Sequence, residues 1–181
     1  MSTDPSIVEL RQKFLDASAD ERVQADFRSA FADDFCLWMR LTGWTYAPKE
    51  VDGVTGREIP SRMPHRPFVL WGCQERAVGE ILSGGVEGRD VVVRKSRDMG
   101  ASWLLAGISA WGWLFKGWQT LLVSRVEDGV DRPGAPDSLL WKVDYLLEGQ
   151  PEWLLPLPAK ELLKRGSETR QHMMLRNPVS G

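Results

Sequence analysis

The sequence contains few of the residues that form disulfide frameworks or metal clusters. There are two cysteines and two histidines in 181 residues. Cys36 and Cys73 lie far apart in apolar surroundings without metal-ligand spacing, and His65 and His172 are isolated. We therefore expect neither a disulfide scaffold nor a histidine-based catalytic or metal site, and this cysteine usage is typical of a reducing cytoplasm.

Long apolar runs and an excess of charge of one sign are also missing. The longest apolar stretch, 101–115, is interrupted by Gly107 and Gly112 and is shorter than the ~20 residues that a membrane-spanning helix needs. The first residues do not resemble a secretory signal, so we expect none. With 23 basic and 25 acidic residues, the net charge of −2 provides no general attraction to nucleic acid. Composition alone indicates an ordinary globular protein.

Hydrophobic periodicity changes character along the chain. Apolar residues recur at three- and four-residue spacing over 7–15 and 27–41, which predicts two amphipathic helices. Residues 47–67 contain four prolines and two glycines and are predicted to be a long connecting loop. We therefore divide the chain into an N-terminal helical region with its linker, 1–60, and a second region, 61–181.

The second region is predicted to contain a βαβ unit. A helix over 74–82 and a Gly-Gly turn at 84–85 lead to the β-branched strand 91–93. A loop, the apolar helix 101–115 and a second apolar strand at 120–124 follow. Continuous apolar strands joined by a helix predict a parallel sheet covered on both faces.

The C-terminal part is predicted to be less regular. A helix over 138–147 precedes the proline-punctuated apolar segment 153–157, and residues 172–176 are strand-like. A turn sequence follows that last strand, which leaves it without a pairing partner. We therefore expect the chain to stop within a domain.

The segment between the first predicted strand and the apolar helix has the length of a Walker A phosphate-binding loop. That motif, G-x-x-x-x-G-K-[ST], requires a strand before it and a helix after it. The eight residues here are Lys95, Ser96, Arg97, Asp98, Met99, Gly100, Ala101 and Ser102. Glycine and serine match two defining positions, whereas a lysine stands in place of the first glycine and an alanine in place of the usual lysine.

These residue types suit a nucleotide with its magnesium ion. The Lys95 ammonium can reach the β- and γ-phosphates from the entrance of the loop, and Arg97 supplies a second cation. Gly100 allows close approach of the backbone, while the Ser102 hydroxyl is a hard ligand for Mg²⁺. The alternative interpretation is an ordinary strand-to-helix turn in which Lys95 and Arg97 are solvated surface charges.

Three segments, 67–75, 94–103 and 124–134, resemble the large terminase subunits of tailed double-stranded DNA bacteriophages. The quoted motifs are Pro-Phe-Val-Leu-Trp-x-x-Gln-Glu, Arg-Lys-Ser-Arg-Asp-Met-Gly-Ala-Ser-Trp and Ser-Arg-x-Glu-Asp with Asp-Arg-Pro-Gly. The resemblance implies an α/β P-loop NTPase fold, incomplete here, with a parallel sheet flanked by helices. It also implies ATP and Mg²⁺ as cofactors, catalytic roles for Lys95 and Arg97, and contact of Gln74 with adenine.

For the whole protein, the resemblance implies an ATP-driven motor that moves viral double-stranded DNA into the procapsid. Its implied partners are the portal protein, the small terminase subunit and further copies of itself in a ring, in the host bacterial cytoplasm. No run of four apolar residues followed by Asp-Glu occurs after Ser102, so a Walker B strand is missing. We therefore expect this chain not to hydrolyse ATP alone.

Two other classes of function stay open. One is a fragment of a helicase-type translocase, although such proteins usually keep a lysine directly after the second glycine, where this chain has Ala101. The other is a prophage remnant or partner-binding module without ATPase activity, in which helices within 1–45 contact the partner.

Overall fold

The computed structural model describes residues 5–96 and 99–179, which form helices and short hairpins. The helices within those ranges are α1 (Pro5–Ala17), α2 (Glu21–Asp33), α3 (Phe35–Thr42), α4 (Gly72–Glu87), α5 (Ala101–Phe115), α6 (Leu139–Glu148) and α7 (Ala159–Leu162). The strands are β1 (Trp44–Tyr46), β2 (Lys49–Val51), β3 (Glu58–Pro60), β4 (His65–Pro67), β5 (Arg170–Gln171) and β6 (Met174–Leu175).

The strands form three separate two-stranded antiparallel sheets. β1 pairs with β4, β2 with β3 and β5 with β6. No parallel sheet occurs among the described residues, so the predicted P-loop NTPase fold with a parallel sheet flanked by helices is wrong for this chain.

The two predicted central strands explain that error. Residues 91–96 and 119–124 are not assigned to any strand, and neither segment pairs with a described strand. Val92 is 92% exposed and Leu121 86% exposed, so these side chains face solvent instead of a covering helix. β-branched composition favours an extended backbone, but a strand is completed only by a neighbour with which it exchanges hydrogen bonds.

Helices were predicted correctly in the N-terminal region, apart from one break. The predicted helix 27–41 is divided between α2 and α3 at Asp34. The Asp34 N–H donates to Ala30 O at 2.9 Å, and Asp34 Oδ1 accepts from the Leu37 N–H at 2.9 Å. A single aspartate therefore closes one helix and caps the next.

Residues 47–67 are more ordered than the predicted connecting loop. They contain β2, β3 and β4, and the antiparallel registers place Trp44 opposite Pro67 and Glu50 opposite Ile59. Pro60 and Pro67 are the last residues of their strands, where a missing N–H interrupts no continuing ladder. The prolines therefore delimit short strands here.

The bounds of α5 and α6 agree with the prediction, whereas α4 is longer than predicted. α5 has the predicted bounds, and α6 lies within one residue of them. α4 instead continues through the predicted Gly-Gly turn to Gly88, whose φ of 68° ends it in the left-handed conformation. Position 84 requires glycine, because a side-chain Cβ there would overlap Val91 Cγ2.

Among the described helices, none is both long and apolar enough to cross a membrane.

α5 lies at the centre of one hydrophobic core. Its Trp111 indole N–H donates to Phe31 O of α2 at 2.6 Å, and Trp38 of α3 donates to Gln150 Oε1 after α6 at 2.9 Å. Side chains from both predicted regions share the core, including Phe14, Phe31, Phe35, Trp38, Met39, Leu104, Ile108, Trp111, Val143, Leu146 and Leu147.

The C-terminal strand has a partner, contrary to the prediction. β6 pairs with β5, with Arg170 opposite Leu175 and Gln171 opposite Met174. The hairpin is fastened to the preceding segment because Asp131 Oδ2 accepts from the Met173 N–H at 2.8 Å. Met173 itself has a φ of 58°, which places it at the tip of the turn.

We expect Gly112→Ala to lower the free energy of unfolding by about 1–3 kcal/mol, because an added Cβ would overlap the rigid Trp118 indole. Urea denaturation followed by tryptophan fluorescence measures this change. Gly79→Ala is the matched control, since its added Cβ in α4 meets no atom within 4 Å apart from its chain neighbours and the backbone of its own helix. It is expected to stabilise by about 0.5–1 kcal/mol, and equal effects at both positions would contradict the close contact.

Candidate functional site

The loop at 95–102 leads directly into the N-terminus of α5. Gly100 is the N-cap residue of this helix, with φ 68° and ψ 12°, and its carbonyl accepts from the Leu104 N–H at 3.0 Å. A glycine has no side-chain oxygen with which to cap the first-turn N–H groups. The first turn also contains no acidic residue. This end of α5 is therefore suited to an anion, which the helix dipole attracts.

Polar and cationic side chains of the loop face solvent around this helix end. Lys95 and Ser96 are exposed before it, and Ser102 is exposed on its first turn. Ala101 and Met99 are half-buried. The remaining two predicted contacts, Arg97 and Asp98, lie outside the described residues. An ammonium, two hydroxyls and helix N–H groups thus lie close in sequence at one helix end, a combination suited to phosphate oxygens.

Gln74, for which the resemblance implies contact with adenine, reaches the loop, and its carboxamide is bonded to backbone groups. Its Oε1 accepts from the Trp71 N–H at 2.8 Å, and its Nε2 donates to Met99 O at 2.9 Å. The side chain is only 6% exposed. Phe68 is buried and lies near Gly100.

The described residues contain no ready-made metal site. No group of three or more His, Cys, Asp or Glu side chains within 5–96 and 99–179 is arranged to hold a metal ion. Ser102 is the predicted Mg²⁺ ligand, and one hydroxyl does not hold Mg²⁺ alone. Mg²⁺ prefers an octahedral set of oxygens that phosphates and water commonly supply. The residues therefore fit a magnesium ion that arrives with a nucleotide.

Arg125 and three tryptophans lie outside the loop at 95–102. Arg125 is exposed before a 3₁₀ turn at Glu127–Gly129. Trp111 and Trp113 are buried, whereas Trp118 is partly exposed and packs edge-on against Trp111. The burial of these tryptophans gives no support to a role in stacking against nucleic-acid bases.

A buried charge network is the main feature that sequence reasoning missed. Arg170 Nε donates to both oxygens of Asp144 at 3.0 Å, and its Nη2 donates to Asp131 Oδ1 at 3.0 Å. Arg165 also pairs with Asp131, and His172 Nε2 lies 2.8 Å from Glu127 Oε1. Every member has a partner, so the network stabilises the hairpin β5–β6.

The two carboxylates of this network respond to burial differently. Burial favours the neutral form of Asp131, but hydrogen bonds from Arg170 and the Met173 N–H outweigh it and lower the pKa of Asp131. At Asp144, burial prevails over Arg170 and raises the pKa. The ionised Asp131 carboxylate therefore stabilises the fold at neutral pH, and this stabilisation is lost as pH falls through its lowered pKa. The raised pKa of Asp144 means that its ionisation destabilises the fold, and this destabilisation is relieved as pH falls through the raised pKa.

A cavity of about 550 Å³ lies elsewhere in the molecule. It is bounded by the C-terminal half of α5, segment 117–122 and the hairpin β5–β6, and includes Trp113, Leu140 and Val143 in its lining. None of the described loop residues, 95–96 and 99–102, contributes to its lining. The cavity and the predicted phosphate-binding loop are thus separate.

Comparison with known proteins provides no family for this chain. No family model, curated protein or solved structure matches it. Its function is therefore inferred from the residues and geometry of the loop together with the resemblance of its motifs.

Proposed function

We propose that this chain binds a nucleoside triphosphate with Mg²⁺ through the loop at 95–102, as the ATP-binding part of a phage terminase large subunit. The observation that carries the proposal is the N-terminus of α5, which begins at a glycine, has no side-chain cap and follows the exposed Lys95. Helix N–H groups and an ammonium are the two types of donor with which phosphate-binding loops hold their ligands.

The proposed roles follow from the positions of the side chains. Lys95 neutralises the β- and γ-phosphates, the backbone at Gly100 and Ala101 approaches them closely, and the Ser102 hydroxyl completes the oxygen shell of Mg²⁺. Ser96 lies beside Lys95, on the same exposed part of the loop. These residues bind and orient the phosphates, which requires the helix end but no particular sheet.

The chain does not form a P-loop NTPase core, and hydrolysis is not proposed for it alone. A packaging ATPase of this class needs a Walker B aspartate for Mg²⁺ and an adjacent glutamate that activates water, and the sequence has no such strand after Ser102. The site is therefore proposed to bind nucleotide without turnover in this 181-residue chain.

The motor function is proposed for the whole protein. It comprises translocation of double-stranded DNA into the procapsid, assembly as a homo-oligomeric ring, and contact with the portal protein and the small terminase subunit in the host bacterial cytoplasm. The support for these partners is the motif resemblance at 67–75, 94–103 and 124–134. The net charge of −2 provides no independent support for DNA binding.

We expect Lys95→Ala to weaken binding of a non-hydrolysable ATP analogue with Mg²⁺ at least tenfold, which is about 1.4 kcal/mol. The physical reason is the loss of the ammonium that faces the phosphates, and calorimetric titration of the full chain measures it.

Lys13→Ala is the matched control, because the Lys13 ammonium is exposed on α1 and pairs with Glu9 at 2.7 Å. This variant is expected to bind like the parent chain. Absence of nucleotide binding by the folded parent chain, or equal binding by Lys95→Ala, would show that Lys95 is only a surface charge.

A partner-binding module without ATPase activity is the second candidate. Segments 91–96 and 119–124, which form no helix or strand, expose Val92, Leu121 and Val123 to solvent, and α1 exposes Val8 and Leu15. Exposed apolar side chains are typical of surfaces that contact another chain. Failure of nucleotide binding in the calorimetric experiment would favour this candidate.

A further inference from the structure

We infer that Gln74 is a positioning residue that clamps the loop to α4, and that it does not read the nucleotide base. This inference rests on the proposed function, because it concerns how the same loop is held. The observation behind it is the pair of hydrogen bonds that joins the Gln74 carboxamide to the backbone on both sides of the site.

The clamp spans a long interval of sequence. Gln74 lies in the first turn of α4, where its Oε1 accepts from the Trp71 N–H at 2.8 Å and fixes the side chain against the helix start. Its Nε2 then donates to Met99 O at 2.9 Å, across 25 residues of chain. The loop residue that precedes Gly100 is therefore fastened to the N-terminus of α4.

Close packing reinforces these hydrogen bonds. A Cβ built on Gly100 would lie 3.0 Å from Gln74 Nε2 and 3.9 Å from the Phe68 ring. The left-handed Gly100 thus sits directly against the carboxamide and the aromatic ring. Any displacement of the Gln74 side chain changes the support of the residue at which α5 begins.

An amide that reads adenine must present both its carbonyl oxygen and its NH₂ group to the base edge. At Gln74 each atom already has one backbone partner, and the side chain is 6% exposed. Turning it toward a ligand would leave the Met99 carbonyl and the Trp71 N–H without this partner, at the cost of two buried hydrogen bonds. The bonded geometry therefore favours positioning over base recognition.

The first experiment needs no nucleotide. Hydrogen exchange of a peptide spanning 94–104 is compared between the parent chain and Gln74→Met, which keeps the side-chain length but has no amide. Loss of the clamp is expected to speed exchange there about tenfold, with little change in peptides from α2. Unchanged exchange at 94–104 overturns the clamp.

Two further variants separate the clamp from general loss of packing. Gln74→Glu keeps an oxygen for the Trp71 N–H but loses the donor to Met99 O, so its exchange is expected to rise as well. Val78→Ala removes a buried side chain of α4 that makes neither hydrogen bond. Local acceleration at 94–104 in Val78→Ala equal to that in Gln74→Met would overturn the specific role of the amide. Gln74→Glu replaces Gln74→Met in every comparison if the latter does not fold.

The second experiment compares ATP and GTP analogues. If Gln74 positions the loop, Gln74→Met weakens both nucleotides by the same factor, because both carry the same phosphates. Selective loss of ATP affinity with GTP affinity unchanged would overturn the inference and assign Gln74 to adenine. If the parent chain binds neither nucleotide, the proposed function fails, while the exchange experiment still decides whether the clamp exists.

Discussion

Arg170→Met is expected to lower the free energy of unfolding by about 3–5 kcal/mol. The guanidinium is fully buried, and its removal leaves the buried carboxylate of Asp131 and the largely buried carboxylate of Asp144 without their common cation. Uncompensated buried charge is costly, since the lost solvation is no longer offset by attraction. Urea denaturation of the full chain, monitored by tryptophan fluorescence, measures the change.

Arg165→Met provides the control from the same network. Its side chain is 37% exposed and contacts the same Asp131 carboxylate. We expect a loss of under about 1 kcal/mol there, because solvent screens the pair. A loss under 1 kcal/mol for Arg170→Met as well would contradict the role of the buried network and would leave the hairpin β5–β6 held by its backbone hydrogen bonds.

Trp38→Ala is expected to cost about 3–5 kcal/mol of unfolding free energy. Trp38 is fully buried at the centre of the core, packs beside Phe35 and Phe115, and donates its indole N–H to Gln150 Oε1 at 2.9 Å. The substitution leaves a large cavity and removes the partner of a buried amide. The midpoint and slope of urea denaturation report the loss.

Trp38→Phe separates these two effects. It retains most of the aromatic contact but not the N–H, so the buried Gln150 oxygen loses its donor, at a cost of about 1–3 kcal/mol. Equal losses for Trp38→Phe and Trp38→Ala would show that the hydrogen bond, and not the filled volume, dominates at this site. A loss under 1 kcal/mol for both would contradict the central place of α3 in the core.

The helices could be predicted from sequence because their hydrogen bonds are local. α5 has the predicted bounds 101–115, since an apolar run of that length between glycine and lysine satisfies its own backbone. The break at Asp34 was missed, although aspartate is a strong N-cap residue. The spacing of apolar residues continues across Asp34, because α2 and α3 both place apolar side chains in the same core. That spacing alone therefore does not show where one helix ends and the next begins.

The candidate site was predictable in its residues but not in its contacts. The loop at 95–102 begins a helix as expected, with Gly100 at the turn. The bonding of Gln74 was not accessible, because the sequence shows an amide near an aromatic residue but not which backbone groups it meets. Its partner Met99 is distant in sequence and has no polar side chain that would reveal it.

By itself, the sequence determined where the long helices form and which residues stand at the start of α5. Only the tertiary structure decided that 91–96 and 119–124 join no described sheet, and that Asp131, Asp144 and Arg170 meet in the interior. The physical reason is the distance along the chain between the groups that bond. A helix is closed by groups four residues apart, whereas strand pairs and buried ion pairs require segments that only the folded chain brings together.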